Sequence, residues 1–124
     1  GIVAARQSQL KSGISRVVLG DLALLHDSGS LLTDEREFRD LRLQVVVVRD
    51  GGGSIFDSLE VSKTASRESF DRVVFAPSSA DFASLARAHG WHYRQADTLG
   101  GLIEALADPR SPLLIDCPVG RGVV

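Results

Sequence analysis

The 124-residue chain holds one cysteine, Cys117, and no methionine. A single thiol excludes an intrachain disulfide and a cysteine-rich zinc cluster, and leaves the cytoplasm as the expected compartment. There is no surplus of positive charge either. Fourteen Lys and Arg stand against sixteen Asp and Glu, a formal net charge of -2, so the electrostatic footprint of a nucleic-acid binder is missing. The longest aliphatic run is Val45 to Val48, far short of the ~20 apolar residues that span a bilayer, and no basic-then-apolar leader opens the chain. Neither a membrane anchor nor export is expected. What is present is an ordinary globular balance, 44% hydrophobic and 24% charged, which predicts one packed domain over residues 1–124. The lack of methionine even at position 1, with an apolar helical opening (GIVAARQSQL) that no Ser, Thr, Asp or Asn precedes, predicts a chain that starts mid-element in a larger protein.

The patterning alternates helical and extended segments. Ile2, Val3, Ala5 and Leu10 form a loose helical face that stops near Ser12-Gly13. Ile14 to Leu19 (ISRVVL) is short and β-branched, which predicts a buried strand, followed over Leu22 to Leu32 by a helix or a turn plus a short helix. The charged stretch Thr33 to Asp40 is expected on the surface. Leu43 to Val48 (LQVVVV) is the clearest strand, and its unbroken apolarity requires cover on both faces. Three glycines, Gly51 to Gly53, break it, and Glu60 to Ser69 is expected as an exposed loop. Ser79 is expected to cap a helix carrying Phe82, Leu85, Ala86 and His89 and ending at Gly90. Trp91 to Gln95 is a short strand candidate. Thr98 should cap a last helix carrying Leu102, Ile103, Leu106 and Ala107, and Leu113 to Cys117 gives a final strand after Pro112. The alternation predicts an α/β fold, a parallel sheet with helices on both faces.

In such a sheet, ligands bind beyond the carboxyl ends of the strands. Two carboxylates fall there: Asp21, directly after Gly20, and Asp50, directly before the glycine run. If their strands are neighbours, two carboxylates and a main-chain carbonyl offer hard oxygen ligands to Mg2+, which commonly completes its shell with phosphate oxygens and water. The N–H groups opening the following helix favour an anion. The ordinary alternatives remain open at this level, since an Asp between strand and helix is often a cap and a glycine-rich loop often a turn. Other nucleotide and hydrolase signatures are absent. There is no GxxxxGK[ST], Phe56 occupies the place of the last glycine of a dinucleotide fingerprint, and no GxSxG elbow accompanies His26, His89 or His92. His89 and Cys117 are expected to be packing residues.

Gly20-Asp21 followed, after 28 intervening residues, by Asp50 resembles the metal-and-diphosphate motif of thiamine diphosphate enzymes, GDG and then a pair of asparagines some thirty residues on. More narrowly, GDLALLHDSGSLL (20–32) with VVVVRDGGGSIFDSLE (45–60) resembles the 2-succinyl-5-enolpyruvyl-6-hydroxy-3-cyclohexene-1-carboxylate synthases of menaquinone biosynthesis, in which GDL replaces GDG and a GGxIF stretch follows. FDRVVFAP (70–77) and DFASLARAHG (81–90) resemble their C-terminal domain as well.

The resemblance implies a thiamine diphosphate-binding fold truncated at its N-terminal side, with residues 1–124 forming the C-terminal part of the diphosphate-binding domain. It implies thiamine diphosphate and Mg2+ (or Mn2+) as cofactors. Asp21 would be the first metal ligand, Asp50 the second, and Gly52 the third through its carbonyl oxygen. Gly20, Leu22, Ala23 and Gly53 would lie by the diphosphate, with Ile55 and Phe56 lining the pocket near the cofactor rings and substrate. The implied reaction is decarboxylation of 2-oxoglutarate and addition of the succinyl unit to isochorismate, in a homodimer or homotetramer. The cofactor-activating glutamate stands on another domain in this family, so no catalytic residue is expected here and the chain alone should be inactive. Two departures stand out: Arg49-Asp50 replaces the asparagine pair, and residues 120–124 lack the family's helical tail. The rivals are another thiamine diphosphate enzyme of the acetolactate synthase or oxo-acid decarboxylase type, which carries a glycine at the Leu22 position, and a non-catalytic α/β binding module.

Overall fold

A computed structural model describes residues 5, 13–33, 36 and 41–121. The first expected helix and most of the charged stretch before residue 41 lie outside the described residues. Four strands, β1 (Ser15–Gly20), β2 (Leu43–Arg49), β3 (His92–Gln95) and β4 (Leu113–Pro118), form one sheet in the order β1-β2-β4-β3 with every pairing parallel. The helices are α1 (Asp21–His26), two single turns α2 (Val61–Thr64) and α3 (Arg67–Phe70), then α4 (Phe82–Ala88) and α5 (Leu99–Leu106). The α/β layering read from the alternation is the one observed.

Side chains alternate across β2, so its apolar run feeds two cores. Val45 and Val47 join Leu24 of α1, Leu31, Phe82 and Ala86 of α4, Trp91 and Leu114 on one face. Val46 joins Leu113, Ile115, Cys117, Ala96 and Ala105 of α5 on the other. Fully burying one large apolar side chain stabilises by roughly 1.5–3 kcal/mol, and these two clusters fix the helices to the sheet. Two polar side chains enclosed with them, Trp91 and Gln44, are matched. Trp91 Nε1 donates to the Leu31 carbonyl at 2.8 Å, and buried Gln44 donates to the Leu106 carbonyl at 3.1 Å while accepting from Arg16 Nε at 2.7 Å.

Several local expectations need correction. β1 is half-open: it is an outer strand, paired with β2 alone among the described strands, and Val18 is 67% exposed. The cap of α4 is Asp81, whose carboxylate accepts from the Ala83 and Ser84 N–H groups; Ser79 lies too far upstream to reach them. Thr98 does cap α5, accepting from Gly101 N–H at 3.0 Å, and on that helix Ile103 faces outward and Ala105 inward. The segment Glu60 to Ser69, expected as an exposed loop, is largely exposed but forms two single turns, the second ending on the buried Phe70. Among the described residues no helix is long and apolar enough to cross a membrane.

Candidate functional site

The parallel register pairs Gly20 with Val48, so β1 and β2 end side by side and their next residues meet at one edge. Asp21 is only 2% exposed. It is the first residue of α1 with Gly20 as the cap position, so its carboxylate does not cap the helix from outside. Instead Oδ1 accepts from Leu22 N–H at 2.7 Å and Oδ2 from Gly51 N–H at 2.9 Å, across 30 positions of sequence. That second bond joins the two halves of the motif.

Burial holds the Asp21 carboxyl above the usual carboxylate range. The two N–H bonds pull the other way, and the charge of Asp50 adds to the upward push. Arg49 supplies a weak opposing influence, because its guanidinium is committed elsewhere. It makes a fork on buried Asp116 (2.9 and 3.0 Å), which also accepts from the Tyr93 hydroxyl at 2.8 Å. Arg49 therefore anchors β2 to β4, and its positive charge reaches the site only at a distance.

Gly51 takes φ +88°, a conformation that side chains resist, which turns the chain at the end of β2. The Asp50 carboxylate folds back on this turn, accepting from Gly52 N–H at 3.1 Å and from the Ser54 hydroxyl. Ser78 N–H donates to the Gly51 carbonyl and Phe56 N–H to the Gly53 carbonyl. The Gly52 carbonyl is the one of the three with no donor among the described residues. Gly52 must lack a side chain, since a Cβ there would stand 2.6 Å from the Phe75 carbonyl oxygen, and a Cβ on Gly53 would be tight, 3.1 Å from the Val74 carbonyl oxygen.

Among the described residues no three His, Cys, Asp or Glu side chains converge. The donor set at this edge is thus two carboxylates, each oxygen with one lone pair committed internally, and one uncommitted carbonyl. Such a set is too sparse to enclose a cation alone. It fits Mg2+ or Mn2+ shared with an oxygen-rich ligand such as a diphosphate.

The remaining candidates lie around that point. Gly20 ends β1 and Leu22 and Ala23 form the first turn of α1, Leu22 half-buried and Ala23 exposed. Gly53 lies under the Phe56 ring. Ile55, 75% exposed, and the neighbouring Phe56 stand outside the core in the short turn Ser54–Ser58. Sequence reasoning missed Phe75, Asp57 and Arg121, which meet beside the glycine run; no spacing rule connects residues 57, 75 and 121. A lone Asp in the apolar strand LLIDC could have pointed to the Asp116 anchor.

No family model matches the chain. Curated relatives do, each named 2-succinyl-5-enolpyruvyl-6-hydroxy-3-cyclohexene-1-carboxylate synthase. That of Clavibacter michiganensis is 50% identical over 98% of this chain and 21% of its own length. That of Leifsonia xyli is 48% identical over 88% of this chain and 18% of its own. That of Kineococcus radiotolerans is 41% identical over 90% and 20%. The chain spans about a fifth of the length of these relatives.

Proposed function

Since the chain belongs, as a segment, to the family of 2-succinyl-5-enolpyruvyl-6-hydroxy-3-cyclohexene-1-carboxylate synthases, we propose that it is the Mg-diphosphate anchor of a larger synthase of menaquinone biosynthesis. Bound thiamine diphosphate would supply the chemistry, decarboxylation of 2-oxoglutarate and transfer of the succinyl unit to isochorismate. This chain's own task is to hold and orient. Asp21 and Asp50 provide carboxylate oxygens to the divalent cation, and Gly52 provides its carbonyl. Leu22 and Ala23, in the first turn of α1, lie by the diphosphate, and Gly20, whose Cβ position is open, lets the ligand approach the backbone closely; Gly53 contributes to the shape of the loop beneath it. Ile55 and Phe56 offer apolar surface to the rest of the ligand. In this reading the group that activates the cofactor comes from another domain, brought to this edge in a homo-oligomer, and the isolated chain is expected to be inactive.

The single observation that carries this reading is the Asp21 to Gly51 hydrogen bond. A buried carboxylate at the end of one strand is held against the glycine loop of the next, with Asp50 close enough to perturb it. Its placement disfavours the cap alternative, because Gly20 occupies the cap position.

The test is calorimetric titration of thiamine diphosphate into the intact synthase at several Mg2+ concentrations. Binding should require Mg2+. Asp21→Ala removes a direct ligand and should weaken it by more than the roughly 10–100-fold that outer partners of a metal site are worth, beyond the roughly 1–3 kcal/mol of stability lost with the bonds to the Leu22 and Gly51 N–H groups. Equal affinity with and without Mg2+, or an Asp21→Ala protein that binds normally, would overturn the proposal.

A further inference from the structure

A glycine loop cannot pin itself, having no side chains to pack, so its shape has to be imposed from outside. Here Phe75 imposes it. Its carbonyl accepts from Gly53 N–H at 2.6 Å, and its carbonyl and ring close off the space where side chains on Gly52 would sit. Phe75 ends a π turn, Asp71–Phe75, and is followed by Ala76 at φ +49°, the left-handed region that an alanine avoids. Such a segment persists only where its surroundings over-determine it.

The surroundings converge on one side chain. Arg121, beyond the end of β4, lays its guanidinium 3.7 Å from the centre of the Phe75 ring. Its Nε and Nη2 make a fork on Asp57 at 2.8 and 2.6 Å, and Nη2 reaches Asp71 at 2.9 Å. Asp57 belongs to the turn that leaves the glycine run, and Asp71 begins the π turn that covers it. Both carboxyls are held below their usual range by bonds from Arg121, so the contacts are between full charges at neutral pH. Nearby, Val119 N–H donates to the Arg49 carbonyl at 2.8 Å, tying the same segment to the end of β2.

We propose that Arg121 is a positioning residue for the metal loop: by clamping Asp57, Asp71 and the Phe75 ring, it sets the Gly52 carbonyl in place to meet the cation. The proposal rests on the metal-diphosphate reading above, and it assigns a role to a residue three positions from the end of the chain.

The experiment uses the intact synthase and two readouts. In Arg121→Ala, the Mg2+ concentration giving half-saturation with thiamine diphosphate should rise roughly tenfold or more, the scale of outer-shell losses. In the ligand-free protein, hydrogen exchange at the Gly53 amide should quicken while amides of β2 and β4 keep their protection. Arg121→Lys, which keeps charge and ring contact but loses the fork, should fall between the two. Should Arg121→Ala fold poorly, Asp57→Asn weakens the same clamp from the other side and should shift both readouts in the same direction. An unchanged Mg2+ requirement, or loss of protection spread evenly through β2 and β4, would make Arg121 a general stabiliser and overturn the clamp alone. A parent protein whose cofactor binding ignores Mg2+ would overturn the clamp together with the reading beneath it.

Discussion

Two stretches of similar length follow β2 and are built on opposite principles. In residues 81–107, each helix has a side-chain cap, Asp81 for α4 and Thr98 for α5, and each presses small and large apolar residues onto a face of the sheet. In residues 54–76, helices last a single turn and Ile55, Leu59, Val61 and Val73 stand exposed. Among its apolar side chains Phe70 and Phe75 are buried, and the stretch is otherwise tied by charge, through Arg121, with the Phe75 ring lying on the glycines. The capped stretch gains its order from burial, which is indifferent to any ligand. The other keeps apolar and backbone groups uncommitted at the carboxyl edge, where they remain free to meet one. Low local burial goes with binding loops generally, and here it marks the side of the fold that carries Asp50 and Gly52.

The largest effect should separate the two stretches outright. Phe82→Ala empties a buried position of α4, where the ring packs in the core and lies 6.0 Å from the Arg49 guanidinium. Losing it should cost about 3–5 kcal/mol of stability, read by denaturant unfolding. Well below the melting range, the half-saturating Mg2+ concentration should stay at its original value, the reverse of the pattern expected for Arg121→Ala. A Phe82→Ala protein that melts normally, or whose Mg2+ requirement moves, would erase the distinction between scaffold and site.

The same division explains what could be read from the sequence. The strands and the two-faced cover of β2 were legible because burial writes itself as composition: VVVV is apolar throughout, and LLIDC is apolar at every enclosed position except Asp116. Thr98 was legible as a cap, because the rule needs only local spacing. Ser79 and Asp81 are both residue types that suit a cap, and the three-dimensional entry of the chain into α4 selects Asp81. The place of Asp21 and Asp50 directly after strands is legible in the sequence, and the structure sets both at one edge. The Arg121 clamp had no such signature. It joins positions 57, 71, 75 and 121, and pairings at that separation leave no periodic trace. The resemblance supplied expected roles for Asp50 and Gly52, but the Arg49 fork on Asp116 belongs to this chain's departure from the family pattern and emerged only from the geometry.

A smaller effect should sharpen the electrostatic side of the capped stretch. Asp108, buried at the end of α5, accepts from the Arg110 side chain and N–H and from Arg94, and these bonds hold its carboxyl far below the ordinary range. A depressed carboxyl contributes stability that is fully present above the unfolded value near 3.9 and is lost as pH falls through that value toward the folded one. Asp108→Asn should therefore lower stability at neutral pH and flatten its decline between about pH 4 and pH 2, since the group that titrates has gone. Unfolding curves at stepped pH measure this. An unaltered acid limb would mean that Asp108 is not among the groups that set it.

The smallest effect expected is also the most discriminating at the site. Asp50 does two things at once: it folds the turn, through Gly52 N–H and the Ser54 hydroxyl, and it offers oxygen to a cation. Asparagine keeps one oxygen for these purposes, and its amide can face the Ser54 hydroxyl, which accepts as readily as it donates. It also removes one negative charge beside Asp21, whose carboxyl the Asp50 charge pushes upward. Asp50→Asn should thus keep thiamine diphosphate binding within a few-fold and shift the half-saturating Mg2+ concentration. Alanine leaves the Gly52 N–H and the buried Ser54 hydroxyl unmatched, at roughly 1–3 kcal/mol for an unsatisfied buried group, and removes the cation's oxygen as well. Asp50→Ala should lose binding. If the two substitutions behave alike, with small stability losses and no change in Mg2+ requirement, Asp50 only shapes the turn; titrating Mg2+ against both variants of the intact synthase separates a ligand from a turn former.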